Sequence, residues 1–166
     1  MNRRFEQGDV TIEDFGHLFL VECPECGRRA TVINRGRETQ PQIMLSCADC
    51  GHAEGWKPSQ PGIMYAVSAR HYEPGRVCIG AAVDWYFHLP LWLRIGCCGE
   101  TLWAYNAEHL KYLEEYVGAG LRARARDEQY GWSNKSLASR LPAWIKSAKN
   151  RSEILKCIAK LKRRLE

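Results

Sequence analysis

CPECG at residues 23–27 and CADCG at residues 47–51 decide how the first part of this chain is read. A Cys-x-x-Cys pair offers two soft ligands from one tight backbone corner, and two such corners complete a tetrahedral sphere of sulfur. Gly27 and Gly51 follow the second cysteine of each corner, where the lack of a Cβ lets the backbone turn and direct its amides at the sulfurs. Cys23, Cys26, Cys47 and Cys50 are therefore the expected metal ligands, and zinc the expected ion. Four thiolates leave no open position for water, so the ion is expected to hold the fold rather than activate a nucleophile. Iron competes for the same ligand set, alone or in an iron–sulfur cluster, because it too binds sulfur tetrahedrally. His52 adjoins the second corner and is expected beside the ligands or at the surface.

Outward from the corners, HLFLVE (17–22), ATVI (30–33) and IMLS (43–46) are short runs rich in strand formers, and NRGRETQPQ (34–42) is turn chemistry between them. That order suits an N-terminal zinc ribbon over residues 1–60. KPSQPG (57–62) marks its end, since Pro and Gly disfavour a continuing strand. Residues 61–166 read as a β region followed by a basic helical region. MYAVSA, RVCIGAAV, PLWLRI and TLWAY predict a small antiparallel sheet. Leu110, Leu113, Val117 and Leu121 recur at helical spacing after Asn106, which predicts a helix from about 107 to about 125 with Asn106 as its cap. Further apolar periodicity predicts helices near 142–149 and from 153, with Ser136 and Ser152 as caps. The expected class is α+β: zinc ribbon, small antiparallel β region, C-terminal helices.

Neither a signal peptide nor a membrane-length apolar run is visible among the 166 residues. Eight cysteines without an export signal fit metal binding and buried thiols better than disulfides, so the expected compartment is the cytoplasm. Cys97 and Cys98 are adjacent and point to opposite sides if extended, a poor arrangement for one metal. Cys78 is left as a free thiol, and Cys157 falls in the apolar pattern of the last helix, as a buried thiol would. No nucleotide-binding Gly loop, nucleophile elbow or His-Glu-x-x-His helix occurs. The expectation is a protein that is not an enzyme; the competing reading is a nucleophile at Cys97 or Cys98 served by a histidine.

The formal charge of +5 is unevenly spread: residues 134–166 hold 10 Lys/Arg against 2 Asp/Glu. Lys146, Lys149, Lys156, Lys160 and Arg163 largely share one side of the predicted helices, and Arg151 adjoins them. A stripe of this kind tracks phosphates, so DNA or RNA is the expected partner; a solvated surface face is the plain alternative. Arg122, Arg124 and Arg126 extend the stripe if their helix packs nearby, and Trp56 and Trp132 are available to stack on bases, whereas Trp144 belongs to the apolar pattern. The second functional reading is a protein–protein adaptor that docks an aromatic patch from YFHLPLWL or the ribbon. No membrane partner is expected.

With LPLWLRIGCCGETLWAYNAEHLKYLEEYV and NKSLASRLPAWIKSAKNR beside the two corners, the chain resembles uncharacterised bacterial proteins that contain a zinc ribbon of the transcription-factor-IIB type. The resemblance runs from about Cys23 to the final helix. It implies zinc at Cys23, Cys26, Cys47 and Cys50 and a bacterial cytoplasm, and it implies no biochemical activity. The family pattern has Gly where this sequence has His88, so His88 is not expected to be a required ligand.

Overall fold

The computed structural model describes residues 4–6, 8–37, 39–65, 72–119, 121–123, 126–127, 131–132 and 136–166. In chain order these form β1 (Arg4–Glu6), a 3-10 turn (Ile12–Phe15), β2 (Leu18–Glu22), β3 (Arg29–Asn34), β4 (Ile43–Ser46), β5 (Ala53–Gly55), β6 (Ile63–Tyr65) and β7 (Val77–Ile79). There follow β8 (Leu93–Cys97), β9 (Glu100–Ala104), α1 (Ala107–Gly118), β10 (Leu121–Ala123), β11 (Arg126–Asp127) and β12 (Gly131–Trp132). The chain closes with α2 (Leu137–Arg140), α3 (Ala143–Lys146), a 3-10 turn (Ala148–Asn150) and α4 (Arg151–Arg163). The class is mixed α and β, and none of the helices among the described residues is long and apolar enough to cross a membrane.

The chain divides into two compact units. The one holding the corners comprises Gly16–Arg94 and Trp103–Asn106. Its sheet runs β2-β3-β4-β5, antiparallel throughout, with Glu22 opposite Arg29 and Ser46 opposite Ala53. Alternation works as the pleat requires: Ala30 and Val32 of β3, and Ile43 and Leu45 of β4, are buried while their neighbours are not. The free edge of β2 is covered by backbone, since Leu20 donates to Tyr105 O at 2.8 Å and Trp92 donates to Leu20 O at 2.9 Å. That removes an aggregation-prone edge. Phe19 is enclosed by Trp85, Tyr86 and Tyr105, with ring centroids 5.2, 6.1 and 4.9 Å away. Burying each such ring contributes roughly 1.5–3 kcal/mol.

A buried carboxylate organises the segment after β7. Asp84 accepts the amides of Tyr86 and Phe87 on Oδ1, at 2.9 and 2.8 Å, and that of Leu89 on Oδ2 at 2.7 Å. The loop it holds carries His88 at φ 55°, a left-handed conformation that glycine adopts most easily.

The other unit comprises Met1–Phe15, Ile95–Leu102 and Ala107–Glu166. Helices α1 and α4 pack on each other through apolar stripes. Leu110, Leu113 and Val117 are buried on α1, and Ile154, Cys157, Ile158 and Leu161 on α4. Phe5 makes T-shaped contacts with Tyr112 and Tyr116, ring centroids 5.3 Å from each, and Phe15 stacks on His109 at 4.8 Å.

Several expectations change. The β region is not one antiparallel sheet: β6 and β7 run parallel, with Ile63 opposite Val77, and β8 with β9 forms a separate two-stranded sheet. The strand expected at 64–69 is described only to Tyr65. Helix α1 stops at Gly118 rather than near 125, because Leu121–Ala123 instead pair in parallel with Arg4–Glu6. Helix α4 begins at Arg151, so Ser152 lies inside it and caps nothing, whereas Ser136 accepts the Ser139 amide at 3.3 Å as a cap should. Asn106 precedes α1 and is buried, its side-chain amide donating to Leu18 O at 2.8 Å.

Candidate metal centre

The two corners are built alike. At the first, the Cys23 amide donates to Arg28 O at 2.7 Å and the Gly27 amide to Cys23 O at 2.9 Å. At the second, the Cys47 amide donates to His52 O at 2.9 Å and the Gly51 amide to Cys47 O at 3.0 Å. Gly27 and Gly51 stand at φ 71° and 78°, left-handed positions at which a side chain is strained. The first corner joins β2 to β3 and the second joins β4 to β5. Because β3 pairs with β4, Thr31 opposite Ser46, the sheet sets one corner beside the other.

The sulfurs converge across that pairing. Cys23 Sγ lies 3.7 Å from Cys50 Sγ and Cys26 Sγ 3.6 Å from Cys47 Sγ, and all four lie within 4.8 Å of one another. Zinc–sulfur bonds of about 2.3 Å place tetrahedral sulfurs about 3.8 Å apart. The donor set therefore fits one tetrahedrally held ion. Cys23 and Cys47 are buried, and Cys26 and Cys50 are exposed.

Four thiols this close resist ionising together. The Cys50 amide faces the Cys47 sulfur and, against burial, holds that thiol down to about 7. Cys50 goes the other way: the His52 amide favours its thiolate, but burial and the neighbouring thiols prevail and push it up to about 12. Cys26 is raised in the same fashion, the Arg28 amide being outweighed by burial and by the sulfurs of Cys47 and Cys23. A bound cation reverses this balance, because it stabilises all four thiolates at once.

Around the sulfurs, Arg28 of the first corner meets Asp49 of the second at 3.4 Å on the surface. Sequence reasoning passed over this pair, because Arg28 follows its corner while Asp49 stands inside the other, so the two positions are not equivalent and only the sheet register brings them together. The His52 ring lies 3.7 Å from Glu54 and is not among the convergent ligands.

No protein-family model, curated protein or solved structure matches this chain.

The expected cationic residues part company in the C-terminal helices. Lys156, Lys160 and Arg163 are exposed on α4, away from its buried stripe of Ile154, Cys157, Ile158 and Leu161. Lys149 is exposed on the preceding 3-10 turn. Lys156 is 3.6 Å from Glu153, whereas Lys149, Lys160 and Arg163 make no ion pair among the described residues. Lys146 is half-buried and donates to Ser139 O, and Arg151 is half-buried at the start of α4. The side chains of Arg122, Arg126 and Trp132, and all of Arg124, lie outside what the structure describes. Trp56 is half-buried with its ring 5.1 Å from Tyr86, and Trp144 is half-buried on α3.

Two of the histidines and three of the remaining cysteines are packed. His88 Nε2 is 2.9 Å from Arg76 O and its ring stacks on Tyr72 at 5.2 Å. His109 is buried against Phe15, and desolvation holds its imidazole down to about 3. Cys78 and Cys157 are buried, as is Cys97; Cys98 is exposed. Among the described residues neither Cys97 nor Cys98 has a histidine partner. The loop anchored by Asp84 was missed in the sequence, although an Asp two, three and five residues ahead of the amides that it accepts is the signature of side-chain-to-backbone turns.

Proposed function

We propose that this is a non-catalytic zinc-ribbon protein, nucleic-acid-associated or regulatory, in which a structural zinc fixes the two corners and the C-terminal helices contact phosphates. The convergence of Cys23, Cys26, Cys47 and Cys50 within 4.8 Å carries the zinc half of the reading. A cluster with bridging sulfides spreads its cysteines further apart than a single ion does, which disfavours the iron–sulfur alternative. With every tetrahedral position supplied by the chain, the ion has none left for substrate water. The exposed Lys149, Lys160 and Arg163, which make no ion pair among the described residues, support the phosphate half, since such cations release condensed counterions from nucleic acid.

The experiment is a fluorescence-anisotropy titration of the metal-loaded chain against single-stranded and duplex DNA and RNA at two salt concentrations, with a polyanion competitor. Binding that weakens steeply with salt but survives the competitor supports the reading. Absent or salt-independent binding overturns it and favours an adaptor role. For that second reading the observation is β6, whose Ile63 and Tyr65 are 54% and 60% exposed. The YFHLPLWL segment serves it less well, because Leu91 and Leu93 are buried and Tyr86–Pro90 half-buried.

A further inference from the structure

Besides the cysteines of the two corners, a second group of thiols gathers at the tip of the β8/β9 hairpin. The two-residue turn is Cys98-Gly99, with φ 55° and 79°, which is the geometry of a type I′ turn. Such turns demand left-handed backbone at both central positions and are ordinarily filled by Asn-Gly or Gly-Gly. A cysteine there carries a conformational cost. Its sulfur is exposed and lies 3.9 Å from that of Cys97, which is buried. Cys157 of α4 also stands beside Cys97, with its own thiol directed at Gly96 O, 3.9 Å away.

From this juxtaposition we infer that Cys98 and Cys97 form a reversible oxidation site, at which a hydroperoxide oxidises the exposed thiol and the buried one closes a disulfide between neighbours. In the first step the Cys98 sulfur attacks the peroxide; an S–O bond forms, the O–O bond breaks, and the leaving oxygen takes the thiol proton as water or alcohol. In the second the Cys97 sulfur attacks the sulfenic sulfur; an S–S bond forms, the S–O bond breaks, and the hydroxyl leaves as water with the Cys97 proton. Two thiols give up two electrons and the peroxide accepts them.

Reversibility follows from the covalent frame. Neighbouring Cα atoms sit about 3.8 Å apart, closer than the roughly 4.4–6.8 Å that disulfides prefer. The bond is therefore strained and exposed, and strained, exposed disulfides are the readily reduced ones. Closing it draws the sulfurs from 3.9 Å to about 2.05 Å and reshapes the turn.

The test treats the full, metal-loaded chain with hydrogen peroxide, blocks free thiols with iodoacetamide under denaturing conditions, and maps tryptic peptides by mass spectrometry. Residues 95–111 form one peptide holding both Cys97 and Cys98, and Cys157 falls in another. The expected result is a 95–111 peptide that has lost two hydrogens and both alkylation sites, and regains both after dithiothreitol. In Cys98→Gly, which suits the left-handed turn and whose folding is checked by circular dichroism, Cys97 is expected to stay alkylatable. The inference is overturned if 95–111 remains fully alkylated while the Cys23–Cys50 thiols oxidise. It is equally overturned if Cys97 is found joined to Cys157, or if Cys97 is lost as fast in Cys98→Gly.

Discussion

The sulfur of Cys26 stands 3.6 Å from that of Cys47, a residue of the other corner. With Cys23 and Cys50 meeting in the same way at 3.7 Å, the two corners are joined sulfur to sulfur within one cluster. An ion held between them therefore locks β2 and β3 to β4 and β5.

Removing one sulfur is predicted to break that lock. Structural zinc supplies roughly 10–16 kcal/mol in small zinc modules, as much as the whole stability of an ordinary domain. Cys47→Ser is expected to abolish metal binding and the cooperative unfolding of the unit that contains the corners. Affinity is also expected to fall as pH falls, since protons compete with the metal for thiols, of which Cys50 without a cation is pushed up to about 12. Metal competition with a chromophoric chelator between pH 8 and pH 6 measures this; a flat profile contradicts it.

His109 makes a separate pH prediction. Its folded value of about 3 lies below the usual histidine value of about 6.5, so the unfolded chain binds the proton more readily. Stability is fully present above about 6.5 and is lost progressively as pH falls toward the folded value, by up to about 1.4 kcal/mol per pH unit. His109→Phe, which keeps an aromatic ring against Phe15, is expected to flatten this limb. Urea midpoints at pH 7 and pH 5 for both proteins provide the check.

On α4 and the 3-10 turn before it the cations separate by their partners. Lys149→Glu, Lys160→Glu and Arg163→Glu are expected to weaken nucleic-acid binding, each lowering the slope of log affinity against log salt by about 0.9 if one phosphate contact is lost. Lys162 is held by Glu114 at 3.0 Å, so Lys162→Glu is expected to weaken the α1–α4 packing with little change in that slope. Equal slopes for all four variants count against the assignment.

What was legible in the sequence follows the range of the interactions. The corners, β2 to β4 and the start of α1 at Ala107 rest on local chemistry: Cys-x-x-Cys-Gly, alternation, and a period of 3.6. The end of α1 does not. Leu121 continues the apolar period, yet it pairs with Arg4, a partner more than a hundred positions away that no local window contains. The parallel pairing of β6 with β7, Ile63 opposite Val77, is hidden for a different reason: a short, turn-rich connection between two strands reads as an antiparallel hairpin. The lysines could be counted and placed on a helix, but Lys146 turning to Ser139 O and Lys162 meeting Glu114 depend on packing.

The turn at Cys98 offers a stability test. Asn tolerates φ near 55° better than cysteine does and is the preferred first residue of this turn. Cys98→Asn is expected to stabilise the chain by up to about 1 kcal/mol. Thermal unfolding in reducing buffer reads the sign; a lowered midpoint contradicts the turn assignment.

Gly16 is required for a steric reason. A Cβ at this position meets the buried ring of Trp85 head-on, and an indole packed against Phe19 and Tyr105 has little room to yield. Gly16→Ala is predicted to cost about 1–3 kcal/mol by overpacking, seen as a lower denaturant midpoint with Trp fluorescence shifted toward that of exposed indole.

The most direct test of the account is the metal content of the purified chain, taken by elemental analysis together with native mass spectrometry, for the parent and for Cys26→Ser. The account predicts one zinc per parent chain and almost none in the variant, because Cys26 completes the four-sulfur set. A parent chain that is folded and metal-free, that carries iron with inorganic sulfide, or that keeps its zinc without Cys26 contradicts it.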